Sequence, residues 1–190
     1  MISLLRGRIA LAANSTREAR FIELYEEHFE AVRRYVWRRE PAIADDVVAE
    51  TFLVAWRRLD DVPASARPWL IGVARNVRLN VRRGVNRQQA VVERLAGTAP
   101  VTAAEHVSRE ADVVRGALAT LSERDREVLL LTIWDELDRS AIAEVLGCTQ
   151  GNVSLRLHRA RRRFAAAVDK LNACASTRVS SSLISGGVDV

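Results

Sequence analysis

The sequence predicts an all-α fold: two small helical domains joined by a flexible linker, the C-terminal one a helix–turn–helix. Three observations predict it. Apolar residues recur at helical spacing almost throughout, and no stretch alternates in the manner of a strand. The pattern weakens between Gly84 and Ala111, where Gly97, Pro100 and an Ala/Thr-rich composition read as a linker. Finally, AIAEVLGCTQGNVSLRLHRARRRF, Ala141 to Phe164, has the spacing of two crossing helices around a tight turn.

The first helix is expected to start near Ser15, because Ser15 and Glu18 have capping-box spacing. Its apolar stripe, Phe21, Leu24, Tyr25, Phe29, Val32 and Val36, runs out before Pro41. A second helix covers about Ile43 to Leu59, with Ile43, Val47, Val48, Phe52, Ala55, Trp56 and Leu59 as its core face. Asp46, Glu50 and Leu53 make a second row on the same helix. Asp45 and Asp46 also suit a helix N-terminus electrostatically. DDVPASARP, Asp60 to Pro68, reads as a loop, and Pro68 suits the start of a helix. That third helix buries Leu70, Val73, Ala74, Val77 and Val81, with arginines and asparagines largely on its other sides. The first three helices therefore predict a compact bundle over residues 15–84, followed by a linker over 85–111.

The second domain is expected over residues 112–170. Val113 to Leu121 is one helix, and Ser122 caps the next, which carries Val128, Leu129 and Leu131. Arg139 to Leu146 and Gln150 to about Val168 are the two helices of the helix–turn–helix. Ala143 is small where they cross, Gly147 suits the positive φ of the turn, and Val153 anchors the second helix to the first. The tail, residues 171–190, is small and polar enough to be disordered.

Composition narrows the function. The 190 residues carry 29 Lys and Arg against 24 Asp and Glu, a net charge of +5 that suits an anionic partner. Cys148 and Cys174 form no CxxC, and His28, His106 and His158 are scattered, so no metal or cofactor is implied. No nucleophile–base set or phosphate-cradling loop is legible, which argues against an enzyme. IALAA near the N-terminus is too short for a secretory signal, and no run approaches a membrane span; a cytoplasmic protein without a membrane partner is expected.

The last helix explains where the charge goes. On a wheel, Val153, Leu157, Ala160 and Phe164 fall together. Gly151, Leu155, His158, Arg159 and Arg162 lie opposite, and Asn152, Ser154, Arg156, Arg161 and Arg163 flank them. Thr149 or Gln150 begins the helix, where backbone amides can receive a phosphate. Early polar residues are placed for base edges and later arginines for phosphates. These residues alone fit an autonomous helix–turn–helix regulator with an N-terminal dimerisation or effector bundle. The stretch PWLIGVARNVRLNVRR weighs against it, because a dimerisation bundle has no need of asparagine and arginine there.

DDVVAETFLVAW followed by PWLIGVARNVRLNVRR, then ALATLSERDREVLLL followed by the helix–turn–helix, resembles an extracytoplasmic-function sigma factor of the sigma-70 family. The resemblance implies a domain that binds the β′ clamp of core RNA polymerase and opens the promoter −10 element. It implies a second domain that reads the −35 element and touches the β flap, and it raises an anti-sigma protein as a partner. Asp46, Glu50 and Leu53 match the clamp-facing positions. The loop Asp60–Pro68 and Asn76 match the −10 pocket, and Arg75, Arg78, Arg82 and Arg83 would hold its strand. Val62, where phenylalanine is often seen, and Asn80, where aspartate is frequent, complete the −10 set. Thr149, Gln150, Asn152, Ser154, Leu155, Arg156, His158, Arg159 and Arg162 form the −35 set. Ala49 stands where glutamine is usual, and Leu155 is apolar where a small polar residue is common.

Overall fold

A computed structural model describes residues 2–93 and 109–184, with side chains described over 16–84 and 110–173. Seven α-helices occur among the described residues, with no strand. They are α1 (Ile2–Trp37), α2 (Ala44–Arg57), α3 (Ala66–Glu93), α4 (Arg109–Thr120), α5 (Glu123–Ile133), α6 (Arg139–Leu146) and α7 (Gln150–Ile184). Single 3-10 turns at Pro41–Ile43 and Leu59–Asp61 flank α2. The chain divides into two compact units: one holds α1 to α3, the other α4, α5, the start of α6 and α7.

In the first unit α1, α2 and α3 pack on one another. Helical spacing marks much of the core: Val32 and Val36 from α1, Val47, Val48, Phe52 and Ala55 from α2, and Leu70 and Ala74 from α3 are buried. Tyr35, outside the expected α1 stripe, is buried with them; of that stripe Phe21, Leu24 and Phe29 are half-buried and Tyr25 is exposed. Phe21 meets Trp56 edge-on at 5.2 Å, and Tyr25 meets Phe52 at 4.7 Å. Arg17 ties α1 to the end of α2 by donating to the Trp56 carbonyl at 2.8 Å.

The second unit packs α4 and α5 against α7. Ser122 caps α5 as expected, its hydroxyl oxygen accepting from the Asp125 amide at 3.2 Å. Arg126 then reaches back to the C-terminal carbonyls of α4, donating to Leu118 at 2.8 Å and to Ala119 and Leu121 at 3.2 Å. The last carbonyls of a helix have no amide four residues on to accept from. Besides Arg126, the Leu118 carbonyl accepts a turn bond from the Leu121 amide at 3.3 Å. Between α5 and α6, Glu136 takes a positive φ of 52°, an uncommon conformation for a side-chain-bearing residue. Asp138 caps α6, accepting from the Ala141 amide at 2.8 Å and the Ser140 hydroxyl at 2.6 Å.

Three boundaries depart from the sequence reading. α1 starts at Ile2, so the Ser15–Glu18 spacing lies inside a helix; residues 2–15 hold no proline, and Gly7 alone does not stop a helix. α3 continues across Gly84 to Glu93 into the expected linker, where an added Cβ would meet nothing within 4 Å. α7 runs to Ile184, so the tail expected to be disordered from residue 171 is helical that far; no Pro or Gly interrupts it between Asn152 and Ile184. Residues 94–108 of the expected linker and 185–190 of the tail lie outside the described residues.

Candidate nucleic-acid and polymerase interfaces

The helix–turn–helix forms with the expected geometry. Gly147 has φ +61°, and the Cys148 amide donates to the Ala143 carbonyl at 3.0 Å across the turn. Val153, Leu157 and Ala160 are buried along one side of α7, and Phe164 is half-buried. Gly151, Leu155, His158, Arg159 and Arg162 are exposed on the opposite side. Thr149 caps the helix, its hydroxyl oxygen accepting from the Asn152 amide at 3.3 Å. The amides of Gln150 and Gly151 precede the first turn's carbonyls and have no intrahelical partner, as phosphate binding at a helix start requires. Asn152 and Gln150 are exposed, and Arg156 is half-buried.

Two flanking side chains are occupied within the unit. The Ser154 hydroxyl donates back to the Gln150 carbonyl at 3.1 Å, which leaves its oxygen as an acceptor only. Arg163, itself exposed, pairs with Asp125, whose side chain is buried at the start of α5.

On α3, Asn76, Asn80, Arg82 and Arg83 are exposed and Arg75 is half-buried. Arg83 donates to the Asn80 side-chain oxygen at 3.0 Å. Two members of the expected −10 set are placed differently. Arg78 is only 4% exposed and donates to Glu40 Oε1 at 2.7 Å, so its guanidinium is an internal tie rather than a hand for a nucleic-acid strand. Its position was informative: Arg78 lies four residues after Ala74 and eight after Leu70, on the buried stripe. Val62 is also buried, and Arg20 of α1 donates to its carbonyl at 3.4 Å. A cavity of about 280 Å³ beside it is lined by Leu59, Pro63 and Ala64 and by Arg20, Leu24 and His28 of α1. Asn76 is not among its lining residues, so Val62 and Asn76 do not share this pocket.

On α2, Asp46 and Leu53 are exposed and Glu50 is half-buried. The spacing puts all three on one side of the helix, away from Val47, Phe52 and Ala55. Glu50 lies 3.7 Å from Arg57. Ala49, beside this row, is also exposed.

No helix among the described residues is long and apolar enough to cross a membrane. No cluster of three or more His, Cys, Asp or Glu among them could hold a metal ion.

Comparison with known proteins agrees with this layout. The model described as Sigma-70 region 2 matches residues 24–88, and that described as Sigma-70, region 4 matches residues 111–164. The chain is 33% identical over 156 residues to the ECF RNA polymerase sigma factor SigL of Mycobacterium tuberculosis, covering 78% of this chain and 88% of that protein. It is 30% identical to the RNA polymerase sigma factor YlaC of Bacillus subtilis, covering 73% and 86%. Among solved structures, CnrH in complex with the cytosolic domain of CnrY matches with TM-score 0.57 at 27% identity, over 85% of this chain and 94% of that one. The fold is shared also with the sigma factor RpoE of Bartonella quintana, TM-score 0.60 at 22% identity, over 77% and 97%. Regions 2 and 4 together define a transcription initiation factor of the sigma-70 type. Within that class the chain belongs to the extracytoplasmic-function RNA polymerase sigma factors.

Proposed function

We propose that the chain acts in the cytoplasm as a sigma factor with no catalytic step of its own, dividing its task between two domains. Residues 15–84 bind core polymerase and the −10 element; residues 112–170 bind the −35 element; residues 85–111 link them. On α2, Asp46, Glu50 and Leu53 dock on the β′ clamp. On α3, Asn76 and Asn80 receive the opened −10 strand, and Arg75, Arg82 and Arg83 hold its phosphates. In the second domain Thr149, Gln150, Asn152, Ser154, Leu155, Arg156, His158, Arg159 and Arg162 meet the −35 duplex, while the domain also contacts the β flap. The sigma factor RpoE of Bartonella quintana is seen in complex with the anti-sigma factor NepR, and an anti-sigma protein is proposed as an antagonist here.

The observation that carries this reading is the row Gly151, Leu155, His158, Arg159 and Arg162, exposed directly opposite the buried seam of Val153, Leu157 and Ala160. A helix fixed so firmly on one side offers the other to the major groove. The test is capture of bacterial core RNA polymerase by the purified chain at moderate salt, followed by run-off transcription. Binding lost in an Asp46→Arg/Glu50→Arg double variant supports the α2 docking face. Absence of binding by the wild-type chain refutes the proposal.

A further inference from the structure

Leu155 is 48% exposed and stands on the outward row of α7. Nothing in the helix's own packing asks for a leucine there, since the seam that anchors α7 is on the opposite side. One turn earlier stands Gly151, and the fold does not ask for a glycine either. Its φ is not positive, and an added Cβ would find only the Thr149 hydroxyl, at 4.0 Å. A glycine weakens a helix relative to alanine, so a bare backbone at this place fits close approach by something outside the chain.

The two residues act on one spot. A helical side chain leans toward the N-terminus and covers the turn before it. Leu155 therefore lies over the turn holding Gly151 and Asn152. The result is an apolar group beside a backbone notch, bordered by Asn152 before it and by His158 and Arg159 after it. In the major groove the edges of adenine, guanine and cytosine present hydrogen-bonding atoms there, and thymine alone adds a methyl group. Leucine against a bare donor or acceptor would strip it of water and return no partner. Against a methyl group it removes apolar surface from water on both sides.

We infer that Leu155, seated over the Gly151 notch, selects thymine at one base pair of the upstream element by packing on its C5-methyl group. This rests on the proposal that α7 enters the major groove of the −35 element. Specificity at this base pair then comes from methyl contact, and the neighbouring arginines contribute mainly phosphate contacts.

The test uses holoenzyme reconstituted from the full chain and core RNA polymerase. Promoter duplexes with a randomised upstream element are selected in parallel, one library made with thymidine and one with deoxyuridine, which lacks only the methyl group. The expected result is one thymine position enriched in the first library and lost in the second. On a single selected duplex, deoxyuridine at that position should weaken binding about fourfold, the factor one buried methyl group contributes. Leu155→Ala should bind both duplexes equally. Gly151→Ala should raise the melting temperature yet weaken binding to the thymine duplex. An enriched element indifferent to deoxyuridine at every thymine would overturn the inference and leave the promoter role intact, as would a Leu155→Ala holoenzyme that keeps the full uridine penalty. If wild-type holoenzyme enriches no upstream element, the promoter proposal fails, and this inference with it.

Discussion

The Arg78 guanidinium donates to Glu40 Oε1 at 2.7 Å, joining α3 to the segment between α1 and α2. Arg82, one turn on, lies 3.9 Å from the same oxygen. Glu40 thus holds a buried cation in place beside a surface where further cations are exposed. Removing it withdraws the carboxylate from a charge that is 4% exposed. Glu40→Ala should lower stability by roughly 1–3 kcal/mol in urea unfolding. Arg83→Ala, by contrast, should weaken −10 single-strand binding by holoenzyme and leave the unfolding midpoint nearly unchanged.

Arg163 and Arg159 sit one turn apart on α7 with opposite duties. Arg163 pairs with Asp125. Arg159 is exposed on the outward row. Arg163→Ala should reduce stability by about 1 kcal/mol, because its guanidinium remains largely open to solvent while its partner does not. Arg159→Ala should leave the melting temperature in place and lower promoter affinity, and the slope of log affinity against log salt should fall by about 1. A stability loss from Arg159→Ala equal to that from Arg163→Ala would contradict this division.

Arg126 makes three hydrogen bonds to the carbonyls that end α4. A cation at a helix C-terminus also meets the negative end of the helix dipole. Arg126→Ala should therefore destabilise the second unit by about 1–2 kcal/mol, read as earlier thermal unfolding. Arg126→Lys should restore only part of the loss, since one ammonium cannot span three carbonyls as a planar guanidinium does.

Asp138 gives a pH signature. The Ala141 amide, and then the Ser140 hydroxyl, favour its charged form and lower its pKa below the usual carboxylate value. A group depressed in the folded state stabilises fully above its unfolded pKa, and that contribution disappears as pH falls through the folded one. The melting-temperature gap between wild type and Asp138→Ala should be widest near neutrality and narrow on acidification. A gap that does not change with pH would contradict the charged cap.

Much of this was legible in the sequence because it rests on local geometry. The turn at Gly147, the Ser122 cap and the seam of Val153, Leu157 and Ala160 need only short-range spacing, and all three are found. What depends on distant partners was not legible. Glu40 and Arg78 are 38 residues apart, so nothing local marks their pairing, although an arginine on the buried stripe was itself a hint. Val62 lies in a polar stretch whose composition says loop, yet its side chain fills the interior against α1. The helix ends erred in the same direction. Capping-box spacing at Ser15 and a small, polar tail composition suggest boundaries, but neither stretch holds a proline, and the tail's glycines come only at Gly186 and Gly187, after α7 has ended.

Glu136 offers a lever for protein engineering. Its backbone turns left-handed at φ 52° between α5 and α6, where a β-carbon is crowded by the neighbouring carbonyl. Asparagine tolerates that conformation far better than glutamate. Glu136→Asn is therefore a one-residue route to a sturdier molecule, with an expected gain of up to about 1 kcal/mol. The change touches neither the outward row of α7 nor the docking row of α2, so a hardier sigma factor need not be a slower one.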